Sequence, residues 1–134
     1  MLTEPLTIAG EISAHLFAAT SGSDVDWVVK LIDVYPDEYG PQPALGGYQL
    51  MISGEVLRGR FRLGYEQAQP VHPNTVLDYR VRMPHAYHTF LRGHRIMVQL
   101  QCSWFPLIDR NPQTFVERIF DAPPSAYQPA QQRI

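Results

Sequence analysis

Apolar and polar residues alternate with a period of two through much of this chain, and proline and glycine interrupt the alternation. In residues 11–18, 77–83 and 96–102, every second residue is small or apolar. Side chains two apart share one face of a β-strand, so each segment is predicted to be a strand with one buried and one wetter face. The 134 residues include 12 Pro and 9 Gly, a density of helix breakers that argues against a helical bundle.

Two other segments complete the predicted strands. Residues 27–35 are apolar on both faces, which is typical of a central strand covered on both sides. In residues 56–63, Arg58, Arg60 and Arg62 lie on one face of a predicted strand. The residues that alternate with them form the other face, which is predicted to be buried. Short strands between turn clusters predict an all-β fold, an antiparallel two-sheet sandwich or jelly roll, forming a single domain over residues 1–134.

Composition excludes several classes of partner and site. The formal net charge of −2 gives no general attraction for nucleic acid, and no apolar run approaches the roughly 18 to 20 residues that span a bilayer. The first residues lack the features of a signal peptide, so the chain reads as soluble, with its compartment left open. Cys102, the single cysteine, excludes an internal disulfide, and its place in the 96–102 alternation predicts a small buried packing residue.

The usual catalytic patterns are absent or better explained by structure. No Gly-x-Ser-x-Gly motif is present. Asp24 and Asp26 open a strand after a Ser-Gly-Ser turn, where capping of backbone N–H groups is favoured over glycosidase chemistry. On a strand, His85 and His88 would point to opposite faces, and His94 is predicted to hydrogen-bond a neighbouring loop. The sequence therefore predicts no catalytic residue, no metal ligand and no cofactor.

Two polar clusters suggest surfaces rather than reactions. The arginine row at 58, 60 and 62 is predicted to form a salt-bridged sheet face or a domain interface. The densest stretch is residues 103–112, where Trp104 and Phe105 precede Asp109, Arg110 and Asn111. It has two interpretations of equal weight: a structural loop bonded to itself, or a surface that docks another domain or borders a cleft.

Several ordered segments resemble the C-terminal domain of one serine hydrolase superfamily. The superfamily includes the α-amino-acid ester hydrolases, glutaryl-cephalosporin acylases, cocaine esterase and X-Pro dipeptidyl-peptidases. The matching segments are Pro5-Leu6-Thr7-Ile8-Ala9-Gly10, Asp24-Val25-Asp26-Trp27, Lys30-Leu31-Ile32-Asp33-Val34-Tyr35-Pro36-Asp37, Leu57-Arg58-Gly59-Arg60-Phe61-Arg62, Phe90-Leu91-Arg92-Gly93-His94-Arg95-Ile96, Ser103-Trp104-Phe105-Pro106 and Asp109-Arg110-Asn111-Pro112. Gly47-Tyr48-Gln49-Leu50-Met51, together with Ser103-Trp104-Phe105-Pro106-Leu107, most resembles the α-amino-acid ester hydrolase branch.

The resemblance implies a jelly roll of the galactose-binding-like kind. It also implies that the Ser-His-Asp triad lies in an upstream α/β-hydrolase domain, on which this chain packs as a non-catalytic accessory domain that helps to wall the substrate cleft. Such domains usually continue past residues 131–134 into one more strand, so the resemblance suggests a fragment of a larger hydrolase. A missing last strand would leave an edge unpaired, which predicts self-association or a covered edge.

Two other functions fit the same fold. Jelly rolls often present aromatic side chains to sugars, so a stand-alone carbohydrate-binding module is the main alternative, with Trp104, Tyr39 and Tyr48 as its platform residues. A purely structural interaction domain is the third hypothesis. The acyl specificity of a parent enzyme and the oligomeric state do not follow from the sequence.

Overall fold

Six β-strands and four single 3-10 turns form the computed structural model, which describes residues 1–134. The strands are β1 (Leu6–Thr20), β2 (Asp26–Val34), β3 (Gln49–Arg58), β4 (Leu77–Phe90), β5 (Arg95–Gln101) and β6 (Gln132–Arg133). They form two antiparallel three-stranded sheets, in the orders β4-β1-β6 and β3-β2-β5. The predicted all-β sandwich of the jelly-roll type is confirmed. No helix is long and apolar enough to cross a membrane.

The central strand and two of the alternating strands lie where the sequence predicted them. β2 is the middle strand of its sheet, and seven of its nine residues are buried because neighbours cover both faces. β1 and β4 contain the alternating segments 11–18 and 77–83 and extend beyond them. In β4, Tyr79, Val81 and Met83 are buried between exposed residues, as a period of two requires.

The predicted strand over residues 56–63 is wrong in its second half. β3 ends at Arg58, and a 3-10 turn follows over Gly59–Phe61. The backbone turns here because the Gly59 amide donates a hydrogen bond of 2.7 Å to the Val25 carbonyl. A Cβ at Gly59 would lie 2.8 Å from Val25 Cγ1, so only glycine allows this close approach. Leu63, predicted to lie on the buried face, is 74% exposed.

The alternation in β5 is present, but the face that was predicted to be exposed is the covered one. Ile96 and Val98 are exposed, whereas Met97 and Gln99 on the other face are half-buried. A period of two shows which side chains share a face and does not show which face meets the core. Cys102 is exposed rather than buried, because β5 ends at Gln101 and Cys102 lies in the bend that follows.

The contacts divide the chain into two compact units, and each long strand contributes to both. Unit 1 comprises residues 1–12, 29–55 and 82–99, and its buried side chains include Ile32 and Phe90. Unit 2 comprises residues 13–28, 56–81 and 100–134. Its core centres on Trp27 and Tyr79, whose rings lie 5.4 Å apart in a tilted arrangement.

Candidate functional site

The loop over residues 103–112 is anchored in unit 2 by Asn111. The Asn111 side chain is buried, and its Nδ2 donates a hydrogen bond of 2.9 Å to Asp26 Oδ1. Its Oδ1 accepts a hydrogen bond of 2.8 Å from the Gln113 amide. Arg58 Nη2 also donates to the Asp109 carbonyl at 3.3 Å. These bonds satisfy the polar groups beneath the loop and fix its position on the strands.

Asp26, which receives the Asn111 bond, is a buried carboxyl group. Burial raises the pKa of Asp26 from 3.8 to about 6, because the ionised form loses hydration, and nearby Asp24 adds to the shift. The Asn111 hydrogen bond and the Arg58 guanidinium, 4.0 Å away, act in the opposite direction. Desolvation prevails, so the loop rests on a carboxyl group that is costly to ionise.

Asp24 bonds the backbone that follows it and forms a buried ion pair. Its Oδ1 accepts a hydrogen bond of 2.9 Å from the Val25 amide, which confirms the predicted backbone bonding for Asp24, whereas Asp26 accepts from the Asn111 side chain. Its Oδ2 accepts from Arg60 Nη2 at 2.6 Å and from Arg60 Nε at 2.8 Å. The Arg60 guanidinium carbon also lies 4.7 Å from the Phe115 ring centroid. The predicted salt bridging of the arginine row is therefore confirmed for Arg60, in a buried turn instead of on an open sheet face.

A groove of about 660 Å³ opens on unit 2 beside this anchored loop. Ile119 forms its buried floor, and the side chains of Phe105, Phe120 and Tyr127 are exposed around it. Asp109 and Arg110 supply one charge of each sign, and the Arg110 guanidinium carbon lies 4.8 Å from the Phe105 ring centroid. The volume lies in the range of binding clefts, and the lining combines aromatic surface with few charged groups.

The structure brings together three of the five predicted site residues. Phe105, Asp109 and Arg110 line the groove, whereas Asn111, which is buried, and Trp104, which is half-buried, lie outside its lining. The sequence reasoning missed Ile119, Phe120 and Tyr127. A signal was available, because Phe120 and Tyr127 are large aromatic residues that flank the Pro123-Pro124 pair in an otherwise polar tail.

A second polar cluster lies inside unit 1. Asp33 Oδ2 pairs with His88 Nε2 at 2.9 Å, and Asp33 Oδ1 pairs with His94 Nδ1 at 2.8 Å. The prediction that His94 bonds a neighbouring loop holds for its backbone, since its carbonyl accepts a hydrogen bond of 2.8 Å from the Leu2 amide before β1, whereas its side chain pairs with Asp33 of β2. A triad needs a nucleophile at the second histidine nitrogen, but His94 Nε2 is buried without any hydrogen-bond partner. The cluster joins strands and holds no nucleophile.

The aromatic residues of the carbohydrate-binding hypothesis do not form a flat platform in unit 1. Tyr39 and Tyr48 both pack edge-on against Tyr35, with ring centroids 5.1 and 5.8 Å apart, respectively. Trp104 belongs to unit 2. No group of three or more His, Cys, Asp or Glu side chains is arranged to hold a metal ion.

A β-sandwich with an aromatic groove and no assembled nucleophile has the character of an accessory domain. Residues 1–119 match the family described as the X-Pro dipeptidyl-peptidase C-terminal non-catalytic domain. The chain belongs to this family.

The relatives of the chain include esterases and a peptidase. Cocaine esterase from Rhodococcus sp. (strain MB1 Bresler) is 33% identical over 114 residues, which cover 85% of this chain and 18% of the esterase. A crystal structure of an aminopeptidase from a marine sediment archaeon, Thaumarchaeota archaeon, is 60% identical with a TM-score of 0.95. A selenomethionine-labelled α-amino acid ester hydrolase is 55% identical, also with a TM-score of 0.95. Each structure matches 98% of this chain, which spans only 21% of the matched protein.

Proposed function

We propose that this chain is the accessory domain of a serine ester or amide hydrolase, where it packs on an upstream α/β-hydrolase domain and helps to wall the substrate cleft. The observation that carries this proposal is the match of nearly the whole chain to one fifth of two hydrolytic enzymes at 55% and 60% identity. Because a likeness of this extent covers the surface as well as the core, the docking surface is expected to be shared with them. The α-amino-acid ester hydrolase branch is the proposed origin, with esters and amides of α-amino acids as the parent's substrates.

The groove of unit 2 is the proposed docking surface. Aromatic residues and arginine are enriched at the centres of protein interfaces, and the groove presents both. Phe120 is 82% exposed in the isolated chain, and a phenylalanine ring this open to water favours a covered position in the parent protein. Asn111 would act as the anchor of the loop, and Asp109 and Arg110 would provide oriented polar contacts at the rim.

A domain graft tests this proposal in a whole enzyme. The chain replaces the matched fifth of the α-amino acid ester hydrolase, and the graft then carries either Phe120→Ser or Tyr87→Ser. The two aromatic side chains are equally exposed, at 82%, but Tyr87 lies outside the groove. Phe120→Ser is expected to lower the thermal midpoint and raise the KM for an α-amino acid ester, at a cost of about 2 kcal/mol in domain docking.

The matched control separates docking from a general surface effect. Tyr87→Ser is expected to leave the midpoint and the KM of the graft unchanged. Equal behaviour of the two variants would contradict the groove as docking surface. An inactive graft in which both domains are folded would contradict the equivalence of this chain with the matched domain.

We also propose that the chain self-associates through an unpaired strand edge when no other polypeptide covers that edge. An exposed strand carries a row of N–H and C=O groups that a second chain can pair. Sedimentation velocity at increasing protein concentration tests this proposal, and a species that stays monomeric at millimolar concentration would contradict it.

A further inference from the structure

The long strand β1 has one edge that is almost entirely unpaired. β1 is 15 residues long and lies between β4 and β6 in its sheet. β6 pairs with β1 at only two positions, Ala19 with Arg133 and Thr20 with Gln132. The part of this edge before Ala19 therefore has no neighbouring strand.

The backbone groups that face this edge follow from the β6 contact. The Ser21 amide donates a hydrogen bond of 2.9 Å to the Gln131 carbonyl on the β6 side. Successive residues of a strand direct their N–H and C=O groups to alternate sides, so Phe17, His15 and Ser13 face the same edge as Ser21. All three side chains are exposed, which leaves their backbone accessible to another strand.

β1 also lacks the features that protect the other long edge strand. β4 ends the same sheet on its opposite side, and it contains Pro84 together with Arg80 and Arg82. Proline and like charges on an edge discourage strand addition. β1 contains neither proline nor lysine nor arginine, and its only charged groups are Glu11 and, when protonated, His15.

We propose that β1 pairs antiparallel with β1 of a second copy, with Ser13 of each copy opposite Ser13 of the other. This inference rests on the self-association proposed above and names its surface and register. An antiparallel pair of identical strands satisfies two-fold symmetry, so both copies use the same edge and the assembly closes as a dimer. The pairing joins the β4-β1-β6 sheet of one copy to the β4-β1-β6 sheet of the other and forms one continuous sheet.

Side-chain size favours this register on the inner face. Ile12 lies opposite Ala14 of the second copy, so a large side chain meets a small one. Leu16 lies opposite Gly10 of the second copy, where nothing is found within 4 Å of a Cβ added to Gly10; because Gly10 has a positive φ of +117°, the ladder is expected to bulge at this pair. With Ala14 on the two-fold axis instead, Ile12 would meet Leu16 and Ala14 would meet Ala14, so large would face large and small would face small.

Charge and the position of β6 favour the same register. Glu11 lies opposite His15 of the second copy, and because His15 Nε2 already pairs with Asp78 Oδ1 at 2.7 Å, the Glu11 carboxylate would meet the other ring nitrogen, Nδ1, at two symmetric points. The paired segment runs from Ile8 to Ala18, so β6 keeps its place beside Ala19 and Thr20. The added strand therefore leaves both β1–β6 pairs in place.

The first test removes one edge donor without touching the ladder to β4. Ser13→Pro deletes the N–H that faces the open edge, whereas Ser13→Ala keeps it and serves as the matched control. Sedimentation equilibrium is expected to show a dimer for the natural chain and for Ser13→Ala. For Ser13→Pro we expect a dissociation constant at least about tenfold higher, because two symmetric hydrogen bonds are lost.

The second test reports the register and does not depend on how Ser13→Pro folds. In a Cys102→Ser background, Ser13→Cys places two thiols opposite each other across the dimer axis, within the Cα separation that a disulfide spans. Mild oxidation is expected to cross-link Ser13→Cys and not the control Phe17→Cys, because Phe17 faces Ala9 of the second copy. The absence of any dimer would overturn both the self-association and this edge. A dimer that Ser13→Pro leaves intact, or that cross-links equally at both positions, would overturn this edge and register alone.

Discussion

Neutralising Asp26 is predicted to stabilise the domain at neutral pH. The Asp26 pKa rises from 3.8 in the unfolded chain to about 6 in the fold, mainly because the carboxyl group is buried. The native state therefore holds a proton over a pH range in which the unfolded chain has released it, and stability falls as the pH rises from about 4 to 6. A shift of this size corresponds to about 3 kcal/mol lost above pH 6.

Asp26→Asn removes the ionisation and keeps an oxygen that can accept the hydrogen bond from Asn111 Nδ2. We expect the variant to be more stable than the natural chain at neutral pH by up to about 3 kcal/mol, reduced by the lost attraction to Arg58, and of similar stability below pH 4. The assay is urea unfolding followed by circular dichroism at a series of pH values. Glu66→Gln, at an exposed carboxylate, is the control and should keep the natural slope. An unchanged slope between pH 4 and 6 in Asp26→Asn would refute the reasoning.

Three further substitutions test the packing, and denaturant unfolding measures each. Asp24→Ala leaves the buried Arg60 guanidinium without its carboxylate and should cost about 3 to 5 kcal/mol, part of which Asp24→Ala/Arg60→Met should recover. Gly59→Ala places a Cβ 2.8 Å from Val25 Cγ1 and 3.0 Å from the Val25 carbonyl oxygen, so a loss of about 1 to 3 kcal/mol is expected; a neutral effect would show that the turn can move. Asp33→Ala removes the acceptor shared by His88 and His94 and should cost about 3 kcal/mol, whereas a cost near zero would mean that the cluster does not join the strands.

The sequence predicted the fold class because local alternation is strong in β1 and β4 and because β2 is apolar on both faces. It failed where tertiary contacts decide the outcome. The end of β3 depends on Gly59 meeting Val25, which lies 34 positions earlier, and no local pattern reports that approach. Likewise, which face of β5 is exposed depends on what covers its sheet. The alternation of residues 96–102 alone could therefore not show whether Cys102 is buried.

The groove was predicted in part for a similar reason. Phe105, Asp109 and Arg110 lie close in sequence, and their combination of aromatic and charged groups marked the loop. Phe120 and Tyr127 come from the tail, where no periodicity exists, and only the folded chain brings them to the same groove. The Asp33 cluster was missed because its histidines lie 55 and 61 positions away from the aspartate.

The central claim is that bond cleavage takes place on polypeptide outside these residues, and hydrolysis by the purified chain tests it most directly. The substrates are p-nitrophenyl acetate and an α-amino acid ester, each with and without a serine-directed inhibitor. The account predicts no saturable turnover above the buffer rate, because His94 Nε2 has no nucleophile to activate. Saturable turnover that the inhibitor abolishes would contradict it.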